Sequence, residues 1–193
     1  MEEKYYITAL VGENAAEMAL VQAEPGTEIC RETGIPYSPL LSIKQNAAQL
    51  RILLDDEGSG WLGALIDRAG LKKQGWSKPF RKDQPGLLRL WGVLTALLTR
   101  PERLLALGPM VGMTAADREA FARLTAFGAE RGTEVRFTAA RLQDVMRLGI
   151  PCRVCFAAGD AWRETDSAAL EAEHGPDTDW DSIQKRWEES ANG

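Results

Sequence analysis

The sequence predicts an α+β fold: an N-terminal β-hairpin, a mainly helical middle around a buried helix over residues 87–98, a C-terminal β-α-β unit and an acidic helical tail. Three observations predict it. Two short apolar runs near the start flank a turn sequence. The run Leu87 to Leu98 is apolar on nearly every face. Two strand-like runs further on bracket a capped helical pattern. With 193 residues, the chain suits a single globular domain over residues 1–160 and an acidic helical extension over 161–193.

Taken in order, Tyr5 to Val11 and Glu17 to Ala23 read as two strands joined by Gly12-Glu13-Asn14-Ala15. Residues 24–42 hold Pro25, Gly26, Gly34, Pro36 and Pro39, which fits irregular or edge structure. From Gln45 to Leu54, Ala47, Leu50, Leu53 and Leu54 recur at helical spacing, with a buried strand over Leu50 to Leu54 as the alternative. Trp61, Leu62, Leu65, Ile66 and Ala69 follow a 3.6-residue period behind Ser59 as a cap, and Gly70 ends the run. Pro101 can open a short helix through Leu107. Thr114 and Asp117 have capping-box spacing, and Ala120, Phe121, Leu124 and Phe127 line one face of the helix they start. Thr133 to Phe137 reads as a strand, Thr138 caps a helix with Leu142, Val145 and Met146 inward, and Ile150 to Ala157 returns as a parallel strand. Asp166 to Glu173 and Asp179 to Ser190 read as short helices.

Composition excludes several classes. The first residues carry acids where a secretory leader needs positive charge, and the longest apolar run contains Arg89, so neither a signal peptide nor a spanning helix is expected. Three cysteines are too few for a disulfide framework and fit a reducing, cytoplasmic compartment. A single histidine argues against a multi-histidine metal site or histidine-based nucleophilic catalysis. Charge is divided: residues 1–60 carry a net −6, residues 61–156 a net +8 and residues 157–193 a net −7. A basic middle between acidic ends suggests either internal pairing or an anionic partner. The Ala- and Arg-rich composition points to a bacterial source.

No nucleophile elbow, phosphate loop, kinase signature or metalloprotease motif appears. Gly58, Gly60 and Gly63 match the dinucleotide-binding spacing, but Asp55, Asp56 and Glu57 directly before them would repel a pyrophosphate. Cys152 and Cys155, with Cys30 and His174, could in number supply one zinc site. In a strand, however, residues three apart face opposite ways, so buried thiols are the favoured reading and no metal is assigned. Asp177, Asp179, Asp181 and Glu188 imitate a calcium loop, yet Ser182 stands where the sharp turn needs glycine. Trp180, Ile183 and Trp187 form an apolar stripe that packs on the chain's own core or on a partner helix. Between Asp67 and Asp83 lie six cations without an acid, interleaved with aromatics: Arg68, Lys72, Lys73, Trp76, Lys78, Phe80, Arg81 and Lys82. Such a loop can be a solvated one whose Trp76 and Phe80 anchor it to the core, can follow phosphates while a ring stacks on a base, or can meet an acidic protein.

These features favour a non-catalytic accessory or adaptor subunit of a bacterial intracellular assembly. Its basic middle would contact nucleic acid or an acidic protein partner, without membrane contact or cofactor. The alternative is a small α/β enzyme with a site at strand ends near Asp160, zinc- or thiol-dependent through Cys152 and Cys155.

Overall fold

Ile7 to Val11 is apolar at every position but Thr8, and all five residues are buried. A strand covered on both faces has this pattern, and it belongs at the centre of a parallel sheet. The computed structural model, which describes residues 6–31, 37–73, 77, 85–158, 161–175 and 177–191, places it there. This strand, β1, pairs in parallel with β4 (Glu134–Ala139) on one side and with β5 (Arg153–Ala158) on the other. β3 (Arg103–Ala106) extends the sheet beyond β4, and β2 (Glu28–Cys30) forms that edge, both parallel. β6 (Ala161–Asp166) closes the opposite edge antiparallel to β5, giving the order β2-β3-β4-β1-β5-β6.

The architecture is therefore α/β with a parallel-dominated sheet, and the expected α+β arrangement is corrected. The hairpin fails first. Both edges of β1 are taken by distant strands, so Glu17 to Ala23 has no ladder to join. Ala15 and Ala19, one helical turn apart, are buried, and the segment forms α1 (Ala15–Val21). The helix expected from Pro101 is instead β3, in which Leu104, Leu105 and Ala106 are buried between neighbours. Four residues alternating between two apolar layers satisfy a strand, whereas a single helical turn has one inward face. The β-α-β unit forms as β4, α6 (Leu142–Met146) and β5, but its strands are not neighbours, because β1 lies between them. Thr138 lies within β4 and caps no helix; Arg141 precedes α6. In the segment expected to be a helical tail, β6 precedes α7 (Ser167–His174) and α8 (Trp180–Ala191).

The helical middle forms. Ser42 and Gln45 make a reciprocal capping box for α2 (Ile43–Ile52). α3 (Asp56–Ala69) starts earlier than expected, because Asp55 rather than Ser59 accepts from the Gly58 amide at 2.7 Å. Gly58, Gly60 and Gly63 thus lie inside a helix. Gly70, left-handed at φ +67°, ends it. α4 (Pro85–Leu97) is buried along most of its length, with Trp91 fully enclosed. α5 (Ala115–Glu130) begins with the expected box of Thr114 and Asp117. Residues from α2 through α6 and from α8 contribute to the main core on one face of the sheet, where Phe121 meets Phe137 edge to face at 5.4 Å. A smaller cluster of Leu10, Leu105 and Cys155 on the other face is covered by Ala15 and Ala19 of α1.

Candidate functional site at the strand carboxyl ends

In a parallel sheet with helices on both faces, ligands bind beyond the carboxyl ends of the strands, where adjacent connections leave in opposite directions. Here those strands are β1 and β4: β1 leads to α1 on one face, and β4 leads to α6 on the other. The residues at this position are the turn Gly12-Glu13-Asn14, Leu107-Gly108-Pro109 after β3, and Ala140-Arg141 after β4.

The turn is short and tied to its surroundings. Gly12 has φ +141°, a conformation side chains rarely adopt, and a Cβ built on it would lie 3.0 Å from the Cβ of Ala157. Its amide donates to the Ala139 carbonyl at 3.0 Å, and its carbonyl accepts from the Ala15 amide at 3.2 Å. The Met18 amide donates to Asn14 at 3.0 Å, already a helical bond. At the next strand end the Gly108 amide donates to Thr138 Oγ1 at 2.8 Å. Arg141 makes a two-pronged contact with Asp144 at 3.2 and 3.3 Å. The Asp144 carboxylate holds the Arg141 guanidinium above its ordinary range. Behind it, Gln184 of α8 accepts from the Leu142 amide at 2.7 Å and donates to the Ala140 carbonyl at 2.9 Å, fixing the start of α6.

The sequence-derived candidates fall elsewhere. Trp76, Lys78, Phe80, Arg81 and Lys82 lie outside the described residues, as does Asp160. Of the same segment, Lys72 pairs with Asp67 at 2.5 Å, Lys73 ends a short 3-10 turn after α3, and the Arg68 guanidinium sits 4.8 Å from the Phe127 ring centre. Arg100 pairs with Glu57 and lies over Trp61, while Arg103 pairs with Glu24. Trp61 stacks on Phe127 at 5.0 Å and donates to the Leu97 carbonyl at 2.8 Å.

Cys152 lies in the main core and Cys155 in the smaller cluster on the other face, so the strand pairing separates them. Cys30 is on β2 and His174 ends α7. Among the described residues no group of three or more His, Cys, Asp or Glu could hold a metal ion. Burial pushes all three thiols up to about 11, which leaves them protonated and poorly nucleophilic at neutral pH. Trp180 and Ile183 are buried in the chain's own core, and Trp187 meets Phe156 of β5 edge to face at 4.2 Å. A cleft of about 510 Å³ opens on the α1 face of the sheet, over Leu10 and Leu105. Its three arginines are each paired: Arg103 with Glu24, Arg136 with Glu134 at 2.7 Å, and Arg153 with Glu164 at 3.3 Å.

With this geometry the chain is similar in fold to cbiO1 from Clostridium perfringens, described as part of the ABC transporter complex cbiONQ. The TM-score is 0.64 at 16% identity, covering 90% of this chain and 82% of that one. It is also similar to MJ1267 in its ADP conformation, an ATP-binding cassette of an ABC transporter, with a TM-score of 0.61 at 13% identity over 92% and 86% of the two chains. A chain of an inward-facing metal-chelate type ABC transporter gives 0.57 at 13% identity over 85% and 73%. The fold is that of an ATP-binding cassette. No protein-family model matches the sequence, and no curated protein does.

The cassette likeness overturns both functional readings drawn from the sequence: the accessory or adaptor subunit with a nucleic-acid-binding middle, and the small enzyme near Asp160. Charge segregation suggested the first, but Arg100, Arg103, Arg123, Arg136, Arg141 and Arg153 pair with carboxylates of the chain itself. The end of β1 is the position that the sequence reading missed, since Gly12 follows a central parallel strand rather than turning a hairpin. Its signal was the nearly unbroken apolar run Ile7 to Val11, which belongs to a two-sided parallel strand rather than a half-exposed hairpin. A cassette fold implies a nucleotide with its magnesium. The residues at this turn do not fit that group: they offer no lysine, no hydroxyl and no spare amide on Gly12 or Ala15.

Proposed function

We propose that the chain serves as a cassette-fold subunit of a transporter-type complex, held at the cytoplasmic side of a membrane by a membrane-embedded protein partner. The observation that carries this reading is the likeness in fold, covering 85–92% of the chain, to chains described as belonging to ABC transporters. Among the described residues no helix is long and apolar enough to cross a membrane, so membrane association would come through a partner. We assign partner contact to the segment from Arg68 to Lys82, whose six cations without an acid suit an acidic surface.

The test is fractionation of cells making the tagged full-length chain, followed by gentle solubilisation and cross-linking. The expected result is recovery in the membrane fraction, cross-linked to a multi-spanning protein and released by high salt more readily when Lys78, Arg81 and Lys82 are replaced by glutamate. A chain that remains in the soluble fraction, cross-linked to no membrane protein, contradicts the proposal.

A further inference from the structure

We infer that this cassette fold holds no nucleoside triphosphate at the end of β1: the turn that would cradle the phosphates is closed by the chain's own atoms. The inference rests on the cassette reading for the position of the site, and on this chain's residues for its chemistry.

Spacing comes first. A phosphate loop has four residues between two glycines, then lysine and serine or threonine entering the helix, so that backbone amides surround the phosphates and the ammonium reaches them. Counted from Gly12, those last three positions hold Glu17, Met18 and Ala19. All three already lie in α1, which begins at Ala15, so a three-residue turn occupies the place of a wrapping loop. The helix itself has only seven residues, and Glu17 in its first turn adds a negative charge at the end that would face a phosphate.

Charge and space agree. From Tyr5 to Cys30 the sequence has four carboxylates, Glu13, Glu17, Glu24 and Glu28, and no lysine or arginine. Two carboxylates beside the turn raise the cost of bringing in a polyphosphate, and no cation of the turn offsets it. The amides of Gly12 and Ala15 are spent on Ala139 and Gly12 carbonyls. The missing Cβ of Gly12 makes room for Ala157, at 3.0 Å, not for a ligand. The end of β3 completes the disagreement. Magnesium beside a triphosphate is ordinarily steadied by a carboxylate, whereas Leu107-Gly108-Pro109 provides none, and the Gly108 amide is turned to Thr138. Any nucleotide handled by a complex containing this chain is then held by another subunit.

Hydrogen exchange of the full-length chain, with and without millimolar MgATP or MgADP, tests this. A cassette bearing a complete phosphate loop serves as the positive control. Peptides covering Ile7 to Val21 are expected to exchange at unchanged rates while the control slows strongly. Saturable slowing across Gly12 to Glu17, produced by the nucleotides but not by adenosine, overturns the inference. That outcome would leave the transporter reading standing, whereas a soluble, partnerless chain that ignores nucleotide would remove the transporter reading and leave the inference.

Discussion

Gly12 concentrates at one residue what the strand-end position demands. Its φ of +141° and the 3.0 Å approach to Ala157 mean that Gly12→Val forces both backbone and β5 to shift. A cost of about 1–3 kcal/mol is expected in chemical denaturation, and wild-type stability in that variant would contradict the described turn. The thiol of Cys152 gives a pH-dependent test. Burial raises it from 9.0 to about 11, opposed by a hydrogen bond from Ser167 and reinforced by the Asp166 charge. Between those values the unfolded chain binds fewer protons than the folded one, so stability falls as pH rises from about 9 through about 11. Cys152→Ala should flatten that fall by an amount on the order of 2 kcal/mol at the alkaline end. Parallel stability-against-pH curves for the two proteins would show that the site does not hold the neutral thiol.

At the scale of elements, local signals succeeded where local energetics decide. The capping box at Thr114 was legible because its partners are three residues apart: the Asp117 amide donates to Thr114 Oγ1 at 3.2 Å, and Asp117 Oδ2 accepts from the Thr114 amide at 3.0 Å. Thr114→Ala should cost about 1 kcal/mol of thermal or chemical stability, and Thr114→Ser should recover most of it. A neutral Thr114→Ala would mean that α5 is held by packing alone. The run Leu87 to Leu98 was equally plain, since a segment apolar all round has to be a core element. α1 and β3 were misread for the opposite reason. Whether Glu17 to Ala23 pairs or coils depends on β4 and β5 having already taken both edges of β1, contacts with residues more than 100 positions away. The four-residue β3 exists because β2 and β4 offer it ladders on both sides. β6 was hidden by its composition, since an edge strand carrying Arg163, Glu164 and Asp166 resembles the charged helices around it.

Over the whole molecule, the ion pairs favour the internal-pairing reading of the charge blocks. Glu24 in the acidic first third meets Arg103 and Arg136 of the basic middle, and Glu164 of the acidic end meets Arg153. The candidate site was legible only as a negative, in the lack of a phosphate-loop sequence. That lack bears on the end of β1, where the connections of neighbouring strands leave toward opposite faces of the sheet. Fold and chemistry thus separate: the fold is that of a cassette, while the turn at the end of β1 carries Glu13 and Glu17 and has its Gly12 and Ala15 amides bonded within the chain.

The most direct test is photolabelling with azido-ATP and magnesium of the membrane complex recovered through the tagged full-length chain, with the labelled polypeptides then identified. Label is expected on a co-purifying polypeptide and none on this chain; label on this chain, or on no polypeptide of the complex, would show that the cassette fold here does hold the nucleotide or that no nucleotide is handled at all.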